Sequence, residues 1–177
     1  QGVAAELKAV LQPLCTRIEI AGSVRRQKPW VKDIELLCIP KDTFEGGLEW
    51  LLSHGDTENL VSNDGATRSY VCALFTKRLS ATGRTSYGLK NKLLVHVPTG
   101  IAVDIFTTDE RDFGMAWMVR TGSKEFNVKV MSRFQALGMR GHAYGGYTDH
   151  QGNEVDCPDE ETVFRALGWA WVEPERR

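Results

Sequence analysis

The sequence predicts an α+β fold built in two parts, and three observations carry that expectation. Apolar runs of strand character dominate residues 57–108, and helical spacings take over after Thr108. The chain has 177 residues with 42% hydrophobic content, enough to bury the cores of two packed subdomains. The expected division is therefore a sheet-rich part over 1–108 and a smaller helix-rich part over 109–177.

Each element has a local reason. Residues 4–15 space Leu7, Val10, Leu11 and Leu14 as one helical face, with Pro13 set against the last turn. A short strand ending in Gly22 follows, and Ser23 is positioned to cap a brief turn containing Arg25 and Arg26. DIELLCI, residues 33–39, reads as a strand apolar on both faces at its centre, as in a sheet covered by helices. Residues 44–53 read as a helix weakened by Gly46 and Gly47. SYVCALF (69–75), KLLVHV (92–97) and IAVDIFTT (101–108) read as strands, the last two joined through Pro98-Thr99-Gly100. The loop at 83–91 is glycine-rich and basic. Helical periods cover 110–122 and 123–138, the second closed by Gly138 as a C′ glycine. Residues 141–160 suggest short strands and turns. Residues 159–168 form a last helix with acids in its first turn, where they suit the macrodipole.

Composition narrows the function classes. Formal net charge is −1 with 25% charged residues, so no global basic field advertises nucleic acid, and any such binding must come from local patches. Cys15, Cys38, Cys72 and Cys157 form no C-x-x-C pair, and Cys15 and Cys38 lie in apolar contexts that suit buried reduced thiols. No signal peptide is visible, and no apolar run approaches the roughly 20 residues a membrane helix needs.

The chemistry concentrates in AGSVRRQKPWVKDIELLCIP, residues 21–40. On a strand Asp33 and Glu35 share one face, with Ile34 and Leu36 on the other. Two carboxylates that close repel unless a cation lies between them, and their oxygens are the hard ligands magnesium prefers. Asp104, in the apolar strand IAVDIF, offers a third acid. If that strand lies beside the first, three carboxylates converge and suffice for two metal ions acting on an in-line displacement at phosphorus. The plainer alternative, a solvated strand face, sits poorly with the run straight into LLCI. Upstream, Gly22-Ser23 before a helical turn exposes backbone N–H groups to an anion, and Arg25 or Arg26 can add a charge-assisted contact to phosphate.

With these residues in view, the chain resembles the family X DNA polymerases of the nucleotidyltransferase superfamily, the DNA polymerase beta-like proteins. The likeness is to very small, two-subdomain members such as some viruses carry. The superfamily pattern of G-S, about ten residues and D-x-[DE] is met by Gly22, Ser23, Asp33 and Glu35, with Asp104 as third acid. Arg25-Arg26 after the Gly-Ser, Thr121-Gly122-Ser123 before Phe126-Asn127, and a W-x-x-P-x-x-R ending in Trp171, Pro174 and Arg177 are similar to family X motifs. The likeness runs over roughly residues 15–177, without counterparts of the family's N-terminal lyase and DNA-gripping domains.

The resemblance implies a nucleotidyltransferase-type palm, a mixed sheet flanked by helices, over 1–108, and a thumb that holds the nascent base pair and DNA over 109–177. It implies a DNA-directed DNA polymerase that joins dNTP to a primer 3′-hydroxyl and releases pyrophosphate, filling short gaps in DNA repair. Asp33, Glu35 and Asp104 would be catalytic and would hold two Mg2+ ions, with Mn2+ able to substitute. Gly22, Ser23, Arg26 and Lys32 would face the triphosphate, Thr121 and Gly122 the sugar, and Asn127 the minor-groove edge of the incoming base. Lys90, Lys92, Lys124, Lys129 and Arg133 are the candidate DNA contacts, in wider basic groups that include Lys77, Arg78 and Arg84. The expected partners are a primer-template or gapped duplex and dNTP, with no membrane. The expected state is a monomer, cytoplasmic or associated with a nucleoid or virion, and not secreted.

Several positions depart from the family pattern. Val119-Arg120 stands where an aromatic pair often helps to exclude ribonucleotides. Val128 and Met131 replace basic residues, Lys32 replaces a glycine, and Glu35 replaces the commoner aspartate. Other rare residues carry plainer readings. His54, His96, His142 and His150 lack metal-ligand spacing, although His142 with Tyr144 and Tyr147 offers rings for stacking on a base. Trp50, Trp117 and Trp169 fit core packing, and Trp30 follows Pro29 in a loop at the edge of the expected site. Two rival functions share part of this set: a template-independent or small-molecule nucleotidyltransferase, and a nucleic-acid-binding remnant without catalysis.

Overall fold

The computed structural model describes residues 2–41, 74–79, 83, 90–143 and 145–177. The helix expected over 44–53, most of the strand SYVCALF, residues 84–89 of the basic loop, and Trp50, His54, Cys72, Arg84 and Tyr144 lie outside them. The chain divides into two compact units: residues 1–20 with 32–107, and residues 21–31 with 108–177. The second boundary falls where the sequence pattern changes. Residues 21–31 differ from expectation, because their arginines bind groups of the C-terminal unit (see below) and draw the segment into it.

The first unit opens with helix α1 (Gly2–Leu11), which buries Ala4, Leu7 and Leu11 along one face. Pro13 has no N–H to continue it, and Gln12–Leu14 tightens into a 3₁₀ turn. Strand β1 (Cys15–Ile20) follows directly, and Lys8 of α1 binds Glu19 of β1 at 2.7 Å. The other described strands are β2 (Asp33–Pro40), β3 (Phe75–Lys77), β4 (Asn91–His96) and β5 (Ile101–Thr107). They form a mixed five-stranded sheet in the order β1-β2-β5-β4-β3. Only β2 and β5 run parallel. The fold is thus α+β, as the patterning predicts, and the sheet is mixed, as the resemblance implies.

Burial alternates along β2 and β5. Ile34, Leu36, Val103 and Ile105 are buried, while Asp33, Glu35, Ala102 and Asp104 are half-buried. The acids therefore occupy a half-open stretch of sheet face, which closes farther along at Leu37 and Phe106. The apolar run LLCI marks that closed end rather than a strand enclosed on both sides throughout.

The second unit contains helix α2 (Gly22–Arg25), α3 (Phe113–Thr121), α4 (Lys124–Ala136) and α5 (Glu160–Ala166). A small antiparallel sheet joins β6 (Arg140–Gly141), β7 (Tyr147–Thr148) and β8 (Glu154–Val155). Its core is Met115, Met118, Val130, Phe134, Tyr147, Cys157, Val163, Phe164 and Leu167. Ser123 caps α4 by accepting from Phe126 N, and Gly138 ends it with φ +70°. Asp159 caps α5 through Thr162 N at 2.7 Å. Gly114 lets α3 meet the chain before α5, since a Cβ there would lie 2.0 Å from the carbonyl oxygen of Asp159. No helix among the described residues is long and apolar enough to cross a membrane.

Candidate functional site

In the first unit the β2–β5 register sets Glu35 opposite Asp104 and Asp33 opposite Ala102. Paired residues of parallel strands share a face, so all three carboxylates lie on the same side of the sheet. Their hard oxygen donors suit a divalent cation such as magnesium. They do not converge as a ready cage: among the described residues, no group of three or more His, Cys, Asp or Glu is arranged to hold a metal ion. A protein cation engages Asp104. Arg78 Nη2 lies 2.8 Å from Asp104 Oδ1, with the Asp104 side chain only 13% exposed.

In the second unit the Gly22-Ser23 turn is real but short. Helix α2 has four residues and no side-chain cap, so Ser23 is inside the turn rather than capping it, and the macrodipole is correspondingly slight. Gly22 adopts φ +61°. The two arginines that follow have separate tasks. Arg25 donates Nη1 to Glu160 Oε1 at 2.6 Å and Nη2 to Glu160 Oε2 at 2.8 Å, and Nη1 also reaches Thr121 Oγ1 at 2.6 Å. Its guanidinium lies 3.5 Å from the centre of the Trp117 ring. Arg25 is thus a structural tie.

Arg26 donates Nη1 to the backbone oxygen of Thr121, while its Nε is buried without a hydrogen-bond partner. Asn127 donates Nδ2 to Val119 O at 2.8 Å, and its Oδ1 is likewise buried and unsatisfied. Gly122 lies between them: a Cβ there would stand 3.2 Å from Arg26 Nη1 and 3.8 Å from Asn127 Nδ2. Its φ of +63° also favours glycine, and the Gly122–Ser123 peptide bond is cis. Buried polar atoms without partners are rare in folded proteins, and a polar ligand reaching the two side chains beside Gly122 can complete their bonding. Thr121 contributes less than expected, because it is fully buried and committed to both arginines.

The remaining candidates separate by exposure. Lys32 and Lys90 are exposed, as are Lys124 and Lys129 on α4, where they can meet phosphate. Lys92 must be corrected: it is 1% exposed, because the β4 register pairs it with inward-facing Ile105, so it is not a surface contact for DNA. Arg133 is half-buried and gives its Nε to Leu167 O at 3.0 Å. Val128 is exposed, and Met131 packs against the core. Trp30 is 90% exposed, whereas Trp169 packs on the core and Trp117 under Arg25. His96 is buried, with Nδ1 2.8 Å from Thr99 Oγ1.

The sequence reading passed over Glu160. Taken with Asp159 and Glu161 as a helix-start acid, it is instead fully buried and holds Arg25 and Arg177 together. Its spacing gave the signal: positions 160, 163, 164 and 167 form one helical stripe, and the other three are Val163, Phe164 and Leu167. An acid on an apolar stripe must find cations. Arg177 meets it by two bonds of 2.7 and 3.0 Å, lies over Trp171 and Phe164, and donates Nε to Val172 O.

This C-terminal architecture has a recognised counterpart. Residues 116–177 match the DNA polymerase beta thumb. The match supports a DNA polymerase beta-like, family X relationship over these residues, which suggests a DNA-polymerase-like or DNA-binding role. No curated protein matches the chain. The thumb match embraces Thr121, Gly122 and Asn127, the exposed Lys124 and Lys129, and the ending that holds Trp171, Pro174 and Arg177.

Proposed function

We propose that the protein is a DNA-directed DNA polymerase of family X type, with residues 1–108 acting largely as a nucleotidyltransferase palm. The observation that carries the reading is that Arg26 and Asn127, the two side chains met by a Cβ at Gly122, each keep a buried atom without a hydrogen-bond partner, Nε and Oδ1, in the unit with the thumb match. A nucleotide supplies both missing partners: acceptor oxygens for the guanidinium and donors for the amide oxygen. Arg26, with Gly22, Ser23 and Lys32, would bind the triphosphate. Asn127 would meet the minor-groove edge, where acceptors are common to all pairs, through the second N–H of Nδ2, and its Oδ1 would accept from a sugar hydroxyl. Gly122 would leave room for the sugar.

Asp33, Glu35 and Asp104 would hold the divalent cations. When bound, such ions lower the pKa of an attacking hydroxyl and stabilise leaving pyrophosphate. The carboxylates' own task is to present their oxygens on one side of the sheet, which the β2–β5 register provides. Lys124 and Lys129 would bind the DNA backbone without reading sequence. Gap filling in repair is the expected use.

The test uses magnesium, a labelled gapped duplex and each nucleotide singly, for wild type and Asp104→Ala. Addition of only the template-matched nucleotide by wild type, lost in Asp104→Ala, is the expected result. Indiscriminate addition would point to a template-independent transferase. A primer untouched by wild type, with gapped DNA still bound, would leave a DNA-binding protein without catalysis; the Arg78–Asp104 ion pair favours that second reading. Ribonucleotides run in parallel measure what Val119-Arg120 does to sugar choice.

A further inference from the structure

Among the described residues the three acids share a face yet are not gathered as a metal cage, and one of them, Asp104, is ion-paired with Arg78. Its backbone N–H donates to Leu93 O at 2.9 Å, just past the end of β3. Leu93 is the β4 partner of Asp104. The main chain thus anchors Arg78 one strand away from the acid it binds, and the guanidinium reaches Asp104 Oδ1 at 2.8 Å. Without a neighbouring cation, ionised Asp104 would face Glu35 directly across the register, in a half-open setting where repulsion is only partly screened.

We propose that Arg78 is a latch on Asp104: it neutralises that carboxylate and must release it before a divalent cation can use it. The inference rests on the reading of Asp33, Glu35 and Asp104 as cation ligands. A guanidinium and a metal ion compete for the same oxygen, so the latch reduces the fraction of molecules competent to bind metal. The apparent affinity falls by that fraction, about tenfold if Asp104 is held nine-tenths of the time. Arg78 is 28% exposed, so it has solvent to swing into when released. It is therefore a positioning residue that sets the metal concentration at which the acids engage.

Binding of Mn2+ to the full chain, followed by electron paramagnetic resonance of the free ion, tests this without any turnover. Arg78→Met is expected to bind Mn2+ about tenfold more tightly than wild type. Arg78→Lys, which keeps the charge and lacks the planar fork, is expected to fall between the two. Asp104→Asn should weaken binding in every background. Without metal, Arg78→Met should melt below wild type, and Mn2+ should raise its melting temperature more than it raises the wild-type value. Affinities in both Arg78 variants equal to or weaker than wild type overturn the latch while leaving the metal site intact. Failure of wild type and Arg78→Met alike to bind Mn2+ overturns the metal reading, and the latch with it.

Discussion

Glu160 and Arg177 form a two-point ion pair in which neither side chain is exposed to solvent. The pair is made on both sides, because the same carboxylate oxygens also receive Arg25. One buried acid between two guanidiniums joins the segment after β1, helix α5 and the C-terminus. Desolvating three charges is costly, and the four hydrogen bonds to Glu160 offset that cost only while all partners are present.

Removing one partner should therefore be severe. Glu160→Gln leaves two buried guanidiniums sharing a neutral amide, and Arg177→Ala leaves Glu160 with Arg25 alone. Each is expected to lower stability by about 3–5 kcal/mol, the range for breaking a buried ion pair. Urea denaturation followed by circular dichroism measures it. A loss below about 1 kcal/mol in both variants would mean that the triad is solvated and does not carry the tie.

Gly122→Ala should separate ligand binding from folding. The φ of +63° and ψ of −159° lie in a region that side-chain-bearing residues avoid, at a cost of about 1–3 kcal/mol. The added methyl would also press on Arg26 Nη1, 3.2 Å away. Weaker nucleotide binding is expected even at temperatures where the variant is fully folded, and equilibrium titration with a fluorescent dNTP analogue checks it. Unchanged affinity in folded Gly122→Ala would remove Gly122 from the nucleotide site.

These positions show which parts of the molecule a sequence reading reaches. Strands β2, β4 and β5, helices α3 and α4, and the Gly138 stop all follow from period and punctuation, which are local. The shared face of Asp33 and Glu35 follows from the pleat alone, whereas the pairing of Glu35 with Asp104 depends on register, which joins residues 69 apart in sequence and has no local signature. Lys92 shows the converse: its charge predicts a surface position, but it shares the inward face of β4 with Leu94 and His96, while Leu93 on the other face is half-buried. Arg25 and Arg26 are neighbours of identical chemistry, and only the position of Glu160 separates them, binding Arg25 while Arg26 meets the Thr121 backbone. Arg78 could not be linked to Asp104 without knowing that β3 lies beside β4.

DNA affinity should depend on α4 rather than on Lys92. Lys124 and Lys129 are exposed, and replacing either by Gln should weaken binding of gapped duplex at low salt. Each replacement should also reduce the slope of log affinity against log salt by about 1, as for loss of one phosphate contact. Lys92→Met should leave the slope unchanged, since its side chain is buried in the sheet. Fluorescence anisotropy at several salt concentrations measures all three. A slope that falls only with Lys92→Met would reverse the assignment.

Asp112 supplies a prediction about pH. Burial raises its pKa above the ordinary 3.8, nearby Asp109 adds to the rise, and Arg111 and the Gly146 N–H oppose it. Gly145 and Gly146 pack tightly on the carboxylate, a Cβ at Gly146 standing 2.5 Å from Asp112 Oδ1. An acid with a raised folded-state pKa binds its proton more tightly when folded. It therefore contributes stability below the unfolded value, and that contribution is lost as pH rises through the folded one. At neutral pH the ionised carboxylate is a burden, and Asp112→Asn keeps an oxygen for Gly146 without the charge. The variant forgoes an acid at the start of α3, worth about 0.3–1 kcal/mol when exposed at a helix N-terminus. Asp112→Asn is expected to melt above wild type at pH 7, and the gap should narrow as pH falls toward 4. A gap that widens on acidification, or a variant less stable at pH 7, would show that the helix start needs the charge more than the pocket resists it.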